Sequence, residues 1–273
     1  MADESGSTGT WPAISGARFA SARRLSAARG RELQAAFLAE GPQTVREALA
    51  FGDVRLVIVG PDPTPEADAL ANRAHELGCP VVAASREQMA GLTDTVHSQD
   101  VVAVCGRPAS RLDDVTSPRL VLLLDQVRDP GNVGTLIRSA DAFGASAVVA
   151  TTGTAEVWAP KAVRASAGSV FHVPVVPGVA FMEAIAWARG QGLWLLGADA
   201  AGHPLDRMGD DLARPTLWVA GNEAHGLPAE HLALLDATVA VPMWGKAESL
   251  NVQAAAAICL YCSATAQSHA IDS

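Results

Sequence analysis

The chain is 273 residues long, with 49% hydrophobic and 18% charged residues, a formal net charge of −9 and four cysteines. That length and balance exclude a disordered chain and leave room for one or two packed domains without staples, and so few cysteines exclude a disulfide framework. The longest apolar run, residues 254–261, is far short of the ~20 residues a membrane helix needs, and the acidic net charge argues against the body of the molecule binding a polyanion.

The opening MADESGSTGT carries acids and no apolar core, so it does not read as a secretory signal, and a reducing, cytoplasmic setting is expected. Residues 1–14 read as a disordered tail. Charge is unevenly placed: Arg18, Arg23, Arg24, Arg29 and Arg31 fall within residues 16–31 without one acid. Such a basic arm is compatible with a polyanion even on an acidic chain. Leu25, Leu33, Phe37 and Leu38 recur at helical spacing, so residues 17–52 read as helical, with a second segment at 43–51. A β-branched strand follows at 54–59, then a helix at 66–77, a strand at 80–83, a helix at 86–92 and a strand at 101–105. This alternation predicts a small α/β domain over residues 15–105. The stretch 106–118 is polar and carries two prolines, and its residues 106–117 read as a linker to a second domain at 118–273. Residues 120–124 are apolar without a break, which marks a strand buried on both faces. Further strands are expected at 147–150, 171–176, 193–196, 216–220 and 238–241, with helices at 133–143, 161–167, 181–189 and about 250–266. Strands alternating with helices predict a mainly parallel sheet covered on both faces.

Three stretches can carry chemistry. In Leu122–Ala145 a buried strand ends at Asp125, a turn passes through Asp129-Pro130-Gly131-Asn132, and a helix follows. Ligands of open α/β sheets bind beyond strand carboxyl ends, and a helix N-terminus there offers N–H groups to an anion. Arg138 lies on that helix and is expected to lean back toward the loop. The plain alternative is an ordinary strand–turn–helix with Asn132 as cap and Arg138 solvated. In Leu217–Pro228, Gly221 and Gly226 flank Asn222-Glu223. They let a ligand approach the backbone or simply close a glycine turn. The Lys-Ser/Thr ending of a P-loop is missing. In Val241–Ala257 a strand runs into Pro242, a turn passes through Gly245 and a helix starts near Leu250, with Ser249 placed to cap it and Glu248 and Asn251 in its first turn. Cys259 and Cys262 form a CxxC inside a predicted helix with no second ligand pair, so no metal is expected. No GxGxxG follows a strand and no GxSxG elbow exists.

In order and character the three stretches together resemble the SpoU (TrmH) family of RNA ribose 2′-O-methyltransferases, within the SPOUT superfamily. DPGNVGTLIR at 129–138 is similar to the family's DPxNxGxxxR, residues 221–226 to its GNExxG, and PMWGKAESLNV at 242–252 to its PMxGxxxSLNV. APKAVRASAGS at 159–169 resembles the family's arginine-plus-small-residue segment, and residues 29–49 and 97–104 the opening and close of its small substrate-binding domain. Asp100 stands where that family usually has glycine, and Gln253 where it often has a small residue. Gln253 is expected to touch none of the residues named here.

The resemblance implies a C-terminal SPOUT domain with a parallel sheet and a deep trefoil knot, an exception to the rule against knotted chains, plus a small N-terminal α/β RNA-binding domain. It implies S-adenosylmethionine bound in the knot by Gly221, Val241, Met243 and Leu250. It also implies a homodimer with the final helix at its interface, where Asn132 and Arg138 face the partner's cofactor site. A sulfonium methyl needs only an in-line nucleophile, so no metal is required. Arginine is a poor base, so Arg138 is expected to position phosphate and stabilise developing charge, with a base role if the guanidinium is strongly desolvated. Asn132, Glu223, Ser249 and Asn251 complete the implied catalytic set. Ribosomal RNA, most simply 23S, is the favoured substrate over transfer RNA, with the five arginines as its contacts. A catalytically silent RNA-binding protein of the same fold and a nucleotide-dependent oxidoreductase are the competing readings.

Overall fold

The computed structural model describes residues 11–93, 100–222, 225–247 and 249–272. Residues 1–10 of the expected tail and 97–99 at the close of the first domain lie outside them. The chain divides into two compact units, one up to Arg107 and one from Pro108.

The first unit contains α1 (Gly16–Arg24), α2 (Ala28–Gln34), β1 (Ala36–Glu40), α3 (Pro42–Phe51), β2 (Val54–Val59), α4 (Pro65–Glu76), β3 (Val81–Ala83), α5 (Arg86–Ala90) and β4 (Val101–Gly106). Its four strands pair in the order β1-β4-β2-β3, with β4 antiparallel to both neighbours and β2 parallel to β3. The region 17–52 is therefore not helical throughout. Ala35 takes a left-handed conformation, φ 44°, and ends α2. Phe37 and Leu38 then pair with Cys105 and Val104 and are buried as strand residues, while Leu33 stays exposed. Burial on a long-range ladder overrides the helical spacing of these residues. Thr64 caps α4 and a Ser85–Gln88 capping box opens α5.

Two local departures have clear causes. Residues 11–14, read as part of a disordered tail, form a strap: Ile14 N–H donates to the Ala83 carbonyl at 2.8 Å, and Ala83 N–H donates to the Pro12 carbonyl at 2.9 Å. Ile14 itself is buried in the core of this unit. Asp100 has φ 55°, the left-handed region that glycine occupies freely and that Asp and Asn tolerate best among other residues.

In the second unit a short 3₁₀ turn, Leu112–Asp114, brings Leu112 and Val115 into the core. There follow β5 (Leu120–Leu124), α6 (Pro130–Ala142), β6 (Ala147–Thr151), α7 (Pro160–Ala165), β7 (Val175–Val179), α8 (Phe181–Gly190), β8 (Trp194–Pro204), β9 (Thr216–Ala220), α9 (Ala229–Leu232), β10 (Ala237–Ala240) and α10 (Val252–Asp272). The six strands form one parallel sheet in the order β10-β8-β9-β5-β6-β7. β5, β6 and β9 are buried along their whole length, as a parallel sheet covered on both faces requires. The expected strand at 171–176 starts later, at Val175, because Ser169–Phe171 turn as a 3₁₀ helix. β8 runs on to Pro204 by pairing with β10, Val239 opposite His203. Gly134 permits the close approach of α6 and α7, since a Cβ there would collide with the Ala162 carbonyl.

Candidate active site

The carboxyl ends of β5 and β9 lie side by side, Leu124 opposite Ala220. From β5 the chain moves outward through β6 and β7, and the later strands lie on the other side. These two ends are thus the switch point of the sheet, where α/β proteins bind ligands.

The loop after β5 is anchored from below. Asp125 is 1% exposed. Its Oδ1 accepts from Thr151 Oγ1 at 3.1 Å and its Oδ2 meets His231 Nδ1 at 2.6 Å. The His231 ring stacks on Phe181, centroids 3.6 Å apart. An acid this deep is tolerated because both oxygens have partners. His231 comes from α9, 106 positions away in sequence, so nothing local in the chain signals the pair.

Asp129, and not Asn132, caps α6. Its Oδ1 accepts from the Asn132 N–H at 3.0 Å. Pro130 fits the first helical position, which places the aspartate at the cap. Lys161 Nζ donates to Asp129 Oδ2 at 2.6 Å. That bond first, and then the backbone N–H of Asn132, hold the Asp129 carboxyl below the usual carboxylate range.

After β9, Asn222 and Gly226 exchange main-chain hydrogen bonds of 3.1 and 2.9 Å. Gly226 has φ 63°, and a Cβ on Gly221 would strike the Gly226 main chain. Closure of the turn itself thus accounts for both glycines, and Gly221 offers a ligand only main-chain groups. Asn222 Nδ2 donates to the Gln126 carbonyl at 3.0 Å, which ties this turn to the loop after β5. Between the two loops opens a cavity of about 640 Å³, lined by Asp125, Gln126, Arg128, Asn222, His225 and Gly226 among others. Arg128 is exposed and donates to Gln126 Oε1 at 3.2 Å. Sequence reasoning missed Gln126, Arg128 and His225 as wall residues. Only their proximity to the motifs marks them.

The third stretch is far more open. Val241 is half-buried, Met243 and Leu250 are each 37% exposed, and Trp244 is 89% exposed. The final helix starts at Val252. Asn251, not Ser249, is its cap: Asn251 Oδ1 accepts from the Ala254 N–H at 2.7 Å, three residues on, the geometry an N-cap requires. Ser249 lies exposed ahead of it. Glu223 and Glu248 lie outside the described residues. Gln253, expected to touch none of the site, donates through Nε2 to Asn132 Oδ1.

Arg138 does not reach back over the loop. It follows Asn132 by six residues, about 9 Å along the axis and well round the helix. It is exposed, has no hydrogen-bond or ion-pair partner among the described residues, and does not line the cavity. Of the five arginines, Arg18, Arg23, Arg24 and Arg29 are exposed on α1 and α2. Arg31, expected among the RNA contacts, is instead a buried structural residue. It is 4% exposed, and its guanidinium donates to the carbonyls of Leu25 and Ser26 at 2.7 and 2.8 Å, closing the open C-terminal end of α1. Burial pushes the Cys259 thiol up to about 12, the mark of an inert core cysteine. No group of His, Cys, Asp or Glu among the described residues is arranged to hold a metal ion.

Residues 119–261 match the SpoU rRNA Methylase family, and residues 18–103 match an MRM3-like substrate binding domain. The chain is 35% identical over 243 residues, 88% of its own length and 92% of the relative's, to the 23S rRNA (guanosine(2553)-2'-O)-methyltransferase RlmP of Bacillus subtilis. It is 41% identical over 169 residues, 59% of its length and 58% of the relative's, to the 23S rRNA (uridine(2479)-2'-O)-methyltransferase of Streptomyces viridochromogenes. Among solved structures it superposes on the SpoU methyltransferase AviRb of Streptomyces viridochromogenes in complex with AdoMet, with a TM-score of 0.81, 30% identity, and coverage of 94% of this chain and 100% of that one. An rRNA methyltransferase from Sinorhizobium meliloti gives a TM-score of 0.80 at 29% identity, covering 93% and 98%.

Proposed function

Because the chain belongs to the SpoU rRNA methylase family, we propose that it methylates a ribose 2′-hydroxyl of 23S ribosomal RNA, as a homodimer whose C-terminal unit is closed by a deep trefoil knot. It is an RNA 2′-O-methyltransferase that uses S-adenosylmethionine. The observation that carries the reading is the pair of loops tied by Asn222 and Gln126 over the switch point of β5 and β9, with a ligand-sized cavity between them.

The residues present suit the cofactor. Val241, Met243 and Leu250 offer apolar surface for an adenine, and Gly221 offers main-chain donors and acceptors. When bound, S-adenosylmethionine supplies a methyl on a positively charged sulfur. The ribose 2′-oxygen that would receive this methyl gives up its hydroxyl proton to water. Arginine is a poor base, so the role of Arg138 is to hold phosphate and stabilise charge growing on the 2′-oxygen. Asn132 orients the ribose. Asn251 orders the start of α10, and Ser249 and Glu223 complete the site. Most of the acceleration comes from holding hydroxyl and methyl in line.

Two features of the single chain support the dimer. Arg138 points to solvent without a partner among the described residues. Trp244, Ile258 and Tyr261 leave apolar surface exposed along the third stretch and α10, the surface a second copy covers. In the first unit, Arg18, Arg23, Arg24 and Arg29 contact RNA phosphates. No described helix is long and apolar enough to cross a membrane, and the site of action is the cytoplasm, where ribosomes are assembled.

The test is transfer of labelled methyl to separated ribosomal and transfer RNA by wild type and Arg138→Ala. Alkali-resistant label in ribosomal RNA, lost in the variant, supports the reading. Label confined to transfer RNA, or cofactor bound with no transfer to any RNA, overturns it.

A further inference from the structure

The first unit holds a cavity of its own, of about 170 Å³. Its floor is Leu56 and Val104, which stand opposite each other on β2 and β4, the two inner strands of that sheet. Both pack against the buried core of the unit and are only half-buried themselves. The middle of one sheet face is thus left without full cover. Ser21 and Gln34 form a polar wall: Ser21 Oγ donates to Gln34 Oε1 at 2.7 Å, and Gln34 Nε2 donates to the Ser21 carbonyl at 3.0 Å. A hydroxyl that has given its proton away can still accept. Arg18 and Arg55 are exposed at the mouth. Arg55 is held in place: its Nε donates to Asp53 Oδ2 at 3.1 Å and its Nη1 to the Gln34 carbonyl at 3.2 Å. A Cβ on Gly106 would strike Asp53 Oδ2 and Arg55 Nη2, so the glycine at the end of β4 gives this pair its room.

Drug-sized ligands occupy clefts of about 300 Å³ or more, so this one takes a single small ring system. An unpaired nucleotide asks for a surface for its base, partners for the base edge and positive charge for its phosphate. The apolar floor, the polar wall and the cationic mouth supply one each. The hydrogen bonds of a guanidinium lie in its plane, so those that hold Arg55 leave its face for stacking. We propose that the cavity between α1, the end of α2 and the sheet of the first unit receives one unpaired base of the RNA. The base stacks on Arg55 with its edge at Ser21 and Gln34, while Arg18 holds the adjoining phosphate. This rests on the reading of the chain as an enzyme acting on ribosomal RNA.

The experiment uses the full-length enzyme in two measurements. In the first, the methyl signals of Leu56 and Val104 in wild type are followed by NMR. The probes are short single-stranded oligoribonucleotides of each base, a duplex RNA of the same length, and the nucleoside monophosphates. Shifts are expected with at least one single strand and not with the duplex, whose bases are already paired and stacked. In the second, kcat and KM for ribosomal RNA are measured for Ser21→Leu, Arg55→Met and Arg55→Lys, with Arg73→Met on α4 as a charge control. Ser21→Leu fills the cavity without changing charge. Losing one stacked base predicts a KM about 5-fold higher for Ser21→Leu and Arg55→Met, with kcat, cofactor affinity and melting temperature close to wild type. Arg55→Lys keeps the charge and loses the plane, so its KM stays raised, whereas Arg73→Met matches wild type. Ser21→Leu or Arg55→Lys at the wild-type KM overturns the proposal. So do shifts with the duplex as large as with any single strand, or shifts with the monophosphates alone. If Ser21→Leu does not fold, the wild-type methyl shifts decide by themselves. If wild type methylates ribosomal RNA and no single strand moves Leu56 or Val104, this inference alone fails. If wild type methylates no ribosomal RNA, the reading beneath it fails and takes this inference with it.

Discussion

The two sides of the proposed site are built on opposite plans. Around Asp125 and Asp129 every acidic oxygen named above has a partner within the chain: Thr151, His231, Lys161 or a helix N–H. Along residues 241–251, Met243, Trp244, Ser249 and Leu250 face solvent, and Arg138 across on α6 is equally open. The first side owes its shape to folding alone. The second carries groups whose partners come from outside the chain, which in the reading above are cofactor, RNA and a second copy. A rigid side sets where the reacting atoms sit, and an open side admits and releases them.

Substitutions on the two sides should therefore fail differently. The largest effect is expected on the open side. Arg138→Ala should reduce methyl transfer about 10²- to 10³-fold, the loss typical of removing one group that stabilises developing charge, while urea unfolding stays unchanged because the side chain is exposed. A variant that unfolds more easily breaks the comparison. Next, Asp125→Ala on the rigid side should lower stability by about 1–3 kcal/mol in urea unfolding, since it leaves His231 and Thr151 without their buried partner. A purely catalytic loss there would show that the rigid side is not held as described. Asn251→Ala should cost roughly 1 kcal/mol through the lost cap of α10, and Asn251→Asp should restore it. The smallest effect concerns pH. The carboxylate of Asp129, held below its usual range chiefly by Lys161, contributes its cap fully above the ordinary aspartate pKa of about 3.9 and loses it only as pH falls through the lowered folded value. Lys161→Ala should move that loss to higher pH, read from the carboxyl titration of Asp129 by NMR.

How much of this was legible in the chain differs residue by residue. Leu120–Leu124 announces a buried strand because five apolar residues in a row have no other use in a sheet of this kind. The strand at Ala36–Glu40 does not, because Phe37 and Leu38 also fit the helical spacing of Leu25 and Leu33, and its partner β4 lies far along the chain. The start of α10 was ambiguous because Ser249 and Asn251 are both good caps, and only the approach of the Ala254 N–H decides between them. At the site, two of the three motifs fall on the loops after β5 and β9 that flank the cavity. The side chains that brace those loops, His231, Lys161 and Gln253, come from segments 106, 32 and 121 positions away from their partners. Their pairing depends on the closed fold, and no local spacing encodes it.

The strap at residues 11–14 has a practical consequence. β3 is the last strand of its sheet, and its outer edge is closed by Pro12 and Ile14 through the two hydrogen bonds to Ala83. A bare edge of that kind is a template on which foreign strands stack. Trimming the chain to begin at Ser15, a natural choice for anyone who takes the first residues for a dispensable tail, would uncover both the ladder groups of Ala83 and the apolar seat of Ile14. The shortened protein should then tend to self-associate and precipitate on warming, while a chain beginning at Trp11 should stay in solution.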